Sequence, residues 1–274
     1  MKKLLALLLA LVMVVCVFAG CSNDTKDPTD APTDGSDEAT TEAPTEPVEA
    51  RENRVIYGSS TEISGDLGNA WWTNNATDKV IRDLIDDYGT ITFDQFGEMV
   101  TNDTVCSGVE QTKNEDGSIT FTVGIKEGLT YNNGEPITAA DYVAYALVQL
   151  APATLEAGAT VSPDSTEGGV AYQKGESKVL SGVRLLDEYT YAITITPDYA
   201  NYYFGLSYAS LQPLYLPLYA SAALTVKDDG EGAYLDGGEL KAVEINASRY
   251  VYENRVAAGP YMLKSLDTGA LTAT

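Results

Sequence analysis

The 274-residue chain contains no histidine, and this removes much of the chemistry that side chains alone can perform. A Ser-His-Asp triad, a Cys-His dyad, an H-E-x-x-H zinc site and a His-ligated haem all need an imidazole. What the chain has in quantity is carboxylate: 40 Asp+Glu against 17 Lys+Arg, for a formal net charge of −23. Two carboxylates held ~5–9 Å apart can cleave a glycoside. With so many acids some pair at that spacing is nearly inevitable, so abundance alone does not point to an enzyme. The most acidic loop, KDDGEGAYLDGGE at 227–239, does not follow D-x-[DN]-x-[DN]-G-x₅-E and reads as a solvated loop rather than a calcium site. Cys106 has no imidazole to activate it and reads as a small buried hydrophobe. No catalytic residue, metal or cofactor is expected.

The residues suited to binding stand together instead. The stretch 69–77, NAWWTNNAT, holds both tryptophans of the chain. Trp71 and Trp72 offer large apolar faces at little entropy cost, and Thr73, Asn74 and Asn75 offer donors and acceptors for a peptide backbone. Either indole could equally pack on the protein itself, and Trp71 is expected to do so. The acidity excludes nucleic acid as a partner, because phosphate contacts need Lys or Arg to displace counterions. A polybasic grip on anionic lipid is disfavoured on the same ground.

The N-terminus says where these residues operate. Lys2 and Lys3 precede an apolar run over 4–19 that ends in Gly20-Cys21, the layout of a secretory signal. The run has 16 residues, short of the ~20 that span a bilayer, although a retained helix is an alternative. Removing residues 1–20 takes Cys16 and both lysines away, leaving a net charge of −25. If Cys21 carries lipid, Cys106 is the only free thiol of the mature chain and no disulfide framework can form within it. From 22 to 50 the chain holds nine acids, one Lys, four Pro and six Thr, a composition with almost nothing to bury. This segment reads as a disordered acidic Thr/Pro tether.

Strands and helices alternate beyond residue 51. Val55-Ile56-Tyr57 before Gly58 reads as a short buried strand. Val80, Ile81, Leu84, Ile85 and Tyr88 share a helical face, capped by Asn75 or Thr77 and ended by Gly89. Ile119, Phe121, Val123 and Ile125 alternate with polar residues, and Asp116-Gly117 marks a hairpin to the stretch around Val109. Thr138 and Asp141 form an [ST]-x-x-[DE] helix start, followed by the apolar stripe Ala139, Tyr142, Val143, Ala146, Leu147 and Leu150, with Pro152 as the stop. Residues 158–182 read as loop, 183–196 as a hairpin turning at Asp187-Glu188, 198–206 as a short helix, and Gly259-Pro260-Tyr261-Met262-Leu263-Lys264 as the start of another strand.

Three of these segments carry a resemblance. Ile125-Lys126-Glu127-Gly128-Leu129-Thr130-Tyr131, with Asn133-Gly134-Glu135-Pro136-Ile137-Thr138-Ala139-Ala140-Asp141-Tyr142-Val143, is similar to the signature of the extracellular solute-binding proteins, family 5. These are the oligopeptide- and dipeptide-binding lipoproteins of ABC importers. Lys126 stands where the family usually has Arg. Gly182-Val183-Arg184-Leu185-Leu186-Asp187-Glu188-Tyr189-Thr190 resembles the family's hairpin, and Ala258-Gly259-Pro260-Tyr261-Met262-Leu263 its G-P-Y strand. Phe18-Ala19-Gly20-Cys21 resembles the bacterial lipobox, with Phe in place of the usual Leu. The resemblance spans roughly residues 53–274, loosely over 197–257.

The resemblance implies a mixed α/β fold: a periplasmic-binding-protein-like type II lobe with a small extra domain. Its implied layout is a lipoprotein signal at 1–20, the tether at 21–50 and the N-terminal part of the solute-binding domain at 51–274. Within that, 76–180 is the extra domain and 51–75 plus 181–274 the first lobe. Family members carry a second lobe after the G-P-Y strand, so the chain reads as truncated, and without that lobe weak ligand binding or none is expected. Cys21 is implied as the lipidation site, placing a monomer on the extracellular face of a cell membrane, under a thick Gram-positive wall. Two acyl chains at ~0.8 kcal/mol per CH₂ anchor stably. The implied partners are a peptide or similarly sized solute and the importer's permease and ATPase. Substrate contacts are implied at Trp71, Trp72, Thr73, Asn74, Asn75 and Tyr261, the last with a core role as its alternative. The work would be hinge closure around the solute. Family members take peptides, nickel complexes, sugars or opines on one scaffold, and no residue here chooses among them. A secreted carboxylate-dependent glycosidase and a surface adhesion module are the other readings.

Overall fold

The computed structural model describes residues 55–72 and 75–274. The segments expected to be a signal at 1–20 and a tether at 21–50, with Cys21, and the expected site residues Thr73 and Asn74 lie outside the described residues. Helix α1 (Ala76–Ile85) begins where Asn75 Oδ1 accepts hydrogen bonds from the N–H groups of Thr77 at 2.9 Å and Asp78 at 3.1 Å, filling two of the donors a helix start leaves open. Its buried face differs from the apolar stripe expected from sequence. Thr77, Asp78, Arg82 and Ile85 are buried, while Leu84 is 45% exposed. The reason is polar. Asp78 accepts from Ser64 N–H, Ser64 Oγ and Gly65 N–H, and Arg82 donates to Gly68 O, so the loop 64–68 is laced to that side. Tyr88, at φ 64°, turns the chain where Gly89 was expected to.

A small hairpin, β1 (Ile91–Phe93) with β2 (Met99–Thr101), leads to β3 (Cys106–Lys113) and β4 (Ile119–Ile125). The β3–β4 pairing sets Val109 opposite Val123, and Gly117 takes φ +88° in the turn, as the Asp-Gly signal predicts. The alternation is realised residue by residue: Ile119, Phe121, Val123 and Ile125 are all buried and the residues between them only partly so.

Helix α2 (Ala139–Gln149) starts at the expected capping box, with Thr138 N–H donating to Asp141 Oδ2 at 2.7 Å and Thr138 Oγ1 to the same atom at 3.1 Å. The stripe from Tyr142 to Leu150 packs on the sheet, and Ala144 and Val148 bury the opposite side against Trp71. The helix is therefore enclosed on two faces, which is why its apolar residues run nearly all round. Pro152 ends it and also opens α3 (Pro152–Glu156) as the first helical residue. Helix α4 (Gly169–Gln173) is one turn within the stretch read as loop.

Strands β5 (Val183–Leu185) and β6 (Thr190–Ile195) form the expected hairpin, and the sheet runs β3-β4-β6-β5, antiparallel throughout. Tyr142 stacks on Tyr191, centroids 5.8 Å apart, joining α2 to the sheet. Helix α5 (Pro197–Ala200) and a 3₁₀ turn (Gly205–Ala209) share the stretch expected to be one short helix. After α6 (Leu216–Tyr219) comes a departure from the expected loop: β7 (Thr225–Asp228) and β8 (Ala233–Asp236) pair as a hairpin. Its acids are spent structurally, since Arg184 grips Asp228 with Nε at 2.8 Å and Nη2 at 2.9 Å. Helix α7 (Ala242–Ser248) and the two-residue strands β9 (Leu266–Asp267) and β10 (Thr272–Ala273) complete the fold.

Two expected strands are absent from the described residues. Val55, Ile56 and Tyr57 are 94%, 77% and 71% exposed and pair with no strand among the described residues. Residues 259–264 are irregular, because the N–H groups of Gly259 and Tyr261 bond the last carbonyls of α1 instead of a strand. Among the described residues no helix is long and apolar enough to cross a membrane.

Candidate functional site

Trp71 is 3% exposed. Its Nε1–H donates to Tyr145 Oη at 3.2 Å and its carbonyl accepts from Thr160 N–H at 2.8 Å, so this indole is packed, as expected of it. Its ring lies 5.2 Å from that of Tyr145 and 6.4 Å from that of Tyr219. Trp72 is half-buried, 5.4 Å from Trp71, and its Nε1–H donates to Ala157 O at 3.1 Å. Its face is covered by the guanidinium of Arg249 at 4.9 Å, a cation–π contact.

Arg249 is fixed in turn by Asp66, through Nε to Oδ1 at 3.1 Å and Nη2 to Oδ2 at 2.5 Å. Burial works against the Asp66 charge, but hydrogen bonds from Arg249 and Gly68 N–H, with the fields of Arg249 and Arg82, outweigh it and hold the carboxyl below its usual range. Gly68 is required at this crossing: a Cβ there would lie 2.7 Å from Arg249 Cγ and 3.0 Å from Trp72 Cε3.

Tyr145 and Tyr219, the ring neighbours of Trp71, also line a small pocket of about 340 Å³, open solvent included, together with Asn69, Asp86, Gln212 and Arg255, with Tyr131 and Tyr215 on its wall. Arg255 has a side chain only 3% exposed. Its Nη1 donates to Ser248 O at 2.9 Å and Val251 O at 3.4 Å, and Nη2 to Leu67 O at 3.2 Å. Asp86 Oδ2 stands 3.6 Å from Nη2, an ion pair without a close hydrogen bond. Burial raises the Asp86 carboxyl, with Arg255 and Arg82 opposing. Burial likewise raises the phenols, Tyr219 to about 12 and Tyr131 and Tyr145 also upward, so all remain protonated donors. Tyr131 spends its proton on Asp141 at 3.0 Å and Tyr215 on Glu135 at 2.8 Å. The arrangement suits binding: fixed donors, one buried cation and aromatic walls.

The expected site residues separate into two places. Trp71, Trp72 and Asn75 lie at the start of α1, with Asn75 capping the helix and donating from Nδ2 to Glu62 O at 3.0 Å. Tyr261 is 62% exposed and bonds Leu84 O at the other end of the ten-residue helix, roughly 15 Å away at 1.5 Å per residue. Thr73 and Asn74 lie outside the described residues. Sequence reasoning missed Arg255, Asp86 and the tyrosines. The available signal was Arg255 itself, one of six arginines in a strongly acidic chain, three residues before Ala258-Gly259-Pro260-Tyr261. Among the described residues no cluster of three or more Cys, Asp or Glu is placed to hold a metal. A second cavity of about 910 Å³, counting open space, is lined by uncharged residues including Gln149, Ser165, Thr166 and Tyr208.

The family profile described as bacterial extracellular solute-binding proteins, family 5 Middle, matches residues 104–273. Among solved structures, Burkholderia pseudomallei OppA is similar at 21% identity and a TM-score of 0.51, covering 76% of this chain and 34% of its own. The pheromone receptor PrgZ, solved for its mode of peptide binding, is similar at 16% identity and 0.51, covering 76% and 36%. Listeria monocytogenes OppA bound to peptide shares 17% identity at a TM-score of 0.49, covering 75% and 35%. At these identities the likeness of the first two is one of fold, a mixed α/β lobe of the type II periplasmic binding proteins. The chain spans about a third of the length of these solved relatives. No curated protein matches it.

Proposed function

The chain belongs to the bacterial extracellular solute-binding proteins, family 5, and from that premise we propose that it captures peptides or similarly sized solutes for an ABC importer. It does so as a binding protein without chemistry of its own, delivering solute to a permease driven by an ATPase. Lipid on Cys21 holds it on the outer face of the cell membrane, and the tether over 21–50 carries the folded part clear of the surface. The observation that carries this reading is the family match over 104–273, within which the strand, turn and capped helix at 119–149 are built as the signature requires. The likeness in fold to the pheromone receptor PrgZ, solved for its mode of peptide binding, supports peptides as the solute class.

The reading is tested by NMR titration of the full-length protein in detergent with a random-sequence tripeptide pool, to millimolar concentration so that weak binding registers. Saturable shifts of the Trp71 and Trp72 indole N–H signals are expected. Turnover of a glycoside substrate, or saturable shifts of these signals from a glycoside with none from the peptides, overturns it. The anchor is tested separately: labelled palmitate fed to the producing cells enters the protein, and Cys21→Ala abolishes the label and releases the protein from the membrane. Equal label in the variant overturns the anchoring at Cys21.

A further inference from the structure

The larger cavity lies among α2, β6, α5, the 3₁₀ turn and the loop 161–166, and shares no residue with the pocket beside Tyr145 and Tyr219. The centre of a water-sized molecule can move through about 380 Å³ of it, within the ~300–1,000 Å³ of ligand pockets. Charged residues make up 21% of the chain, yet none lines this cavity. Its wall is held in place by the fold. Thr196 N–H donates to Ser165 O at 3.0 Å and Glu167 N–H to Thr194 O at 3.1 Å, stitching the loop to β6, while Gln173 Nε2 donates to Val161 O at 2.9 Å. Tyr199 and Tyr208 meet edge to face, centroids 5.0 Å apart.

Thr166, on this wall, is only 8% exposed. Its backbone is spent, donating to Pro163 O at 3.3 Å and accepting from Gly169 N–H at 3.0 Å. Its hydroxyl has no hydrogen-bond partner among the described residues. Nor is that hydroxyl sealed in protein, because Arg255 Nε is the only fully buried side-chain nitrogen or oxygen there that lacks a partner. The little surface that Thr166 keeps therefore includes its hydroxyl. The side chains of Gln149, Ser165 and Ser210 and the phenols of Tyr199 and Tyr208, all half-buried on the same wall, also have no hydrogen-bond partner among the described residues. The Ser162 and Ser207 hydroxyls are spent, on Asp164 Oδ2 at 2.9 Å and Phe204 O at 2.6 Å.

We propose that this cavity binds a neutral pyranose. Hydroxyls and a carboxamide each donate and accept, so they suit a ligand whose own groups do both, as sugar hydroxyls do. A ligand that displaces ordered water from polar groups holds its affinity only by reproducing the water's hydrogen bonds, and a ring of hydroxyls does so. The C–H face of the sugar has Tyr199, Tyr208, Leu150 and Ile193 to pack on. A carboxylate or an ammonium would lose water here and meet no countercharge on the wall. Further sugar units have a continuation outside. Tyr202 lies 6.3 Å from Tyr208 and 5.8 Å from Phe204, Tyr203 lies 4.8 Å from Phe204, and these three rings are exposed. An exposed aromatic run of this kind marks a binding surface. The site goes beyond the peptide-receptor reading and does not depend on it.

The test uses the full-length protein in detergent with ¹³C-labelled tyrosine rings, the Tyr199 and Tyr208 signals being assigned by their loss in Tyr199→Phe and Tyr208→Phe. Methyl glucoside, galactoside, mannoside and N-acetylglucosaminide are titrated in turn to high millimolar concentration. At least one should move both signals saturably, while sodium glucuronate and cyclohexanol leave them in place. Thr166→Val, which keeps the shape and removes the hydroxyl, should weaken that sugar roughly 3–10-fold, the loss of one hydrogen bond, with no lower melting temperature. No saturable shift from any of the four, an equal shift from cyclohexanol or glucuronate, or full affinity in Thr166→Val overturns the site. Saturable shifts from the tripeptide pool in place of the sugars give the cavity to a peptide and overturn it as well. The receptor reading is decided by the peptide titration at the Trp71 and Trp72 indoles, so failure of the sugar site leaves it untouched.

Discussion

Gly259 donates its N–H to the carbonyl of Ile85 at 2.7 Å, closing the end of α1 with a residue 174 positions away in the chain. The approach leaves no room for a side chain: a Cβ on Gly259 would lie 2.5 Å from Ile85 C, Ile85 O and Leu84 O. All three are backbone atoms of the helix end, so neither partner can rotate away. Gly259→Ala should therefore destabilise the fold by about 1–3 kcal/mol, the range of overpacking in a filled interior. Urea unfolding followed by far-UV ellipticity checks it, and a loss under 0.5 kcal/mol would mean that 259–261 is not seated on α1.

Asp66 and Arg249 form a nearly buried bidentate pair, their side chains 8% and 14% exposed. Removing one partner strands the other, which costs about 3–5 kcal/mol for a buried pair. Asp66→Asn keeps one acceptor, so a loss of about 3 kcal/mol is expected. Trp72 emission should change with it, because Arg249 covers that ring.

The same carboxyl sets a pH dependence whose sign is fixed. Asp66 has a folded pKa below its ordinary 3.8, so its contribution is complete above 3.8 and is lost as pH falls through the depressed value. Asp86 and Asp141 are raised by burial and act in reverse, costing stability as pH climbs through their folded values. Unfolding free energies measured from pH 6 down to pH 2 should fall most steeply below 3.8 in the native protein and less steeply in Asp66→Asn. Parallel curves would remove Asp66 from the acid response.

Thr138 caps α2 with its partner Asp141, which also receives the Tyr131 hydroxyl. Thr138→Ala should cost about 1 kcal/mol. Because Tyr131 depends on the same carboxylate, Tyr131→Phe and Thr138→Ala should be non-additive in a double-mutant cycle of denaturation midpoints.

Cys106 is 4% exposed, its Sγ 3.5 Å from Thr90 O, and burial pushes its thiol up to about 11. Iodoacetamide at pH 8 should leave the Cys106 peptide unlabelled in the native protein and label it fully in 6 M guanidinium, as peptide mass spectrometry would read. Rapid native labelling would mean that the region joining β2 to β3 opens.

The elements legible in the sequence are those whose information is local. Ile119 to Ile125 carries its own period, Asp116-Gly117 its own turn, and Thr138 with Asp141 its own helix start, and the structure builds all three. Where the outcome depends on remote partners, local pattern failed. Val55-Ile56-Tyr57 has the composition of a strand and no neighbour among the described residues, while 259–264 spends its donors on a helix end. At 227–239 the acids suggested loop, but the short runs 225–228 and 233–236 pair across Gly230 and Gly232. The pocket is the extreme case. Arg255 reaches Leu67 across 188 positions, and its walls come from residues near 69, 86, 131, 145, 212–219 and 255, so no spacing within the sequence announces it. Trp71 and Trp72 were visible as a pair, but the Arg249 that covers Trp72 was not.

Both indoles of the chain stand at one corner, Trp71 against Tyr145 and Tyr219 and Trp72 under Arg249, while the four-stranded sheet contains neither. Intrinsic emission therefore watches this corner and is blind to the sheet, whereas circular dichroism watches the sheet. Heating the protein under both probes gives two curves whose separation measures how far this corner loosens before the strands come apart.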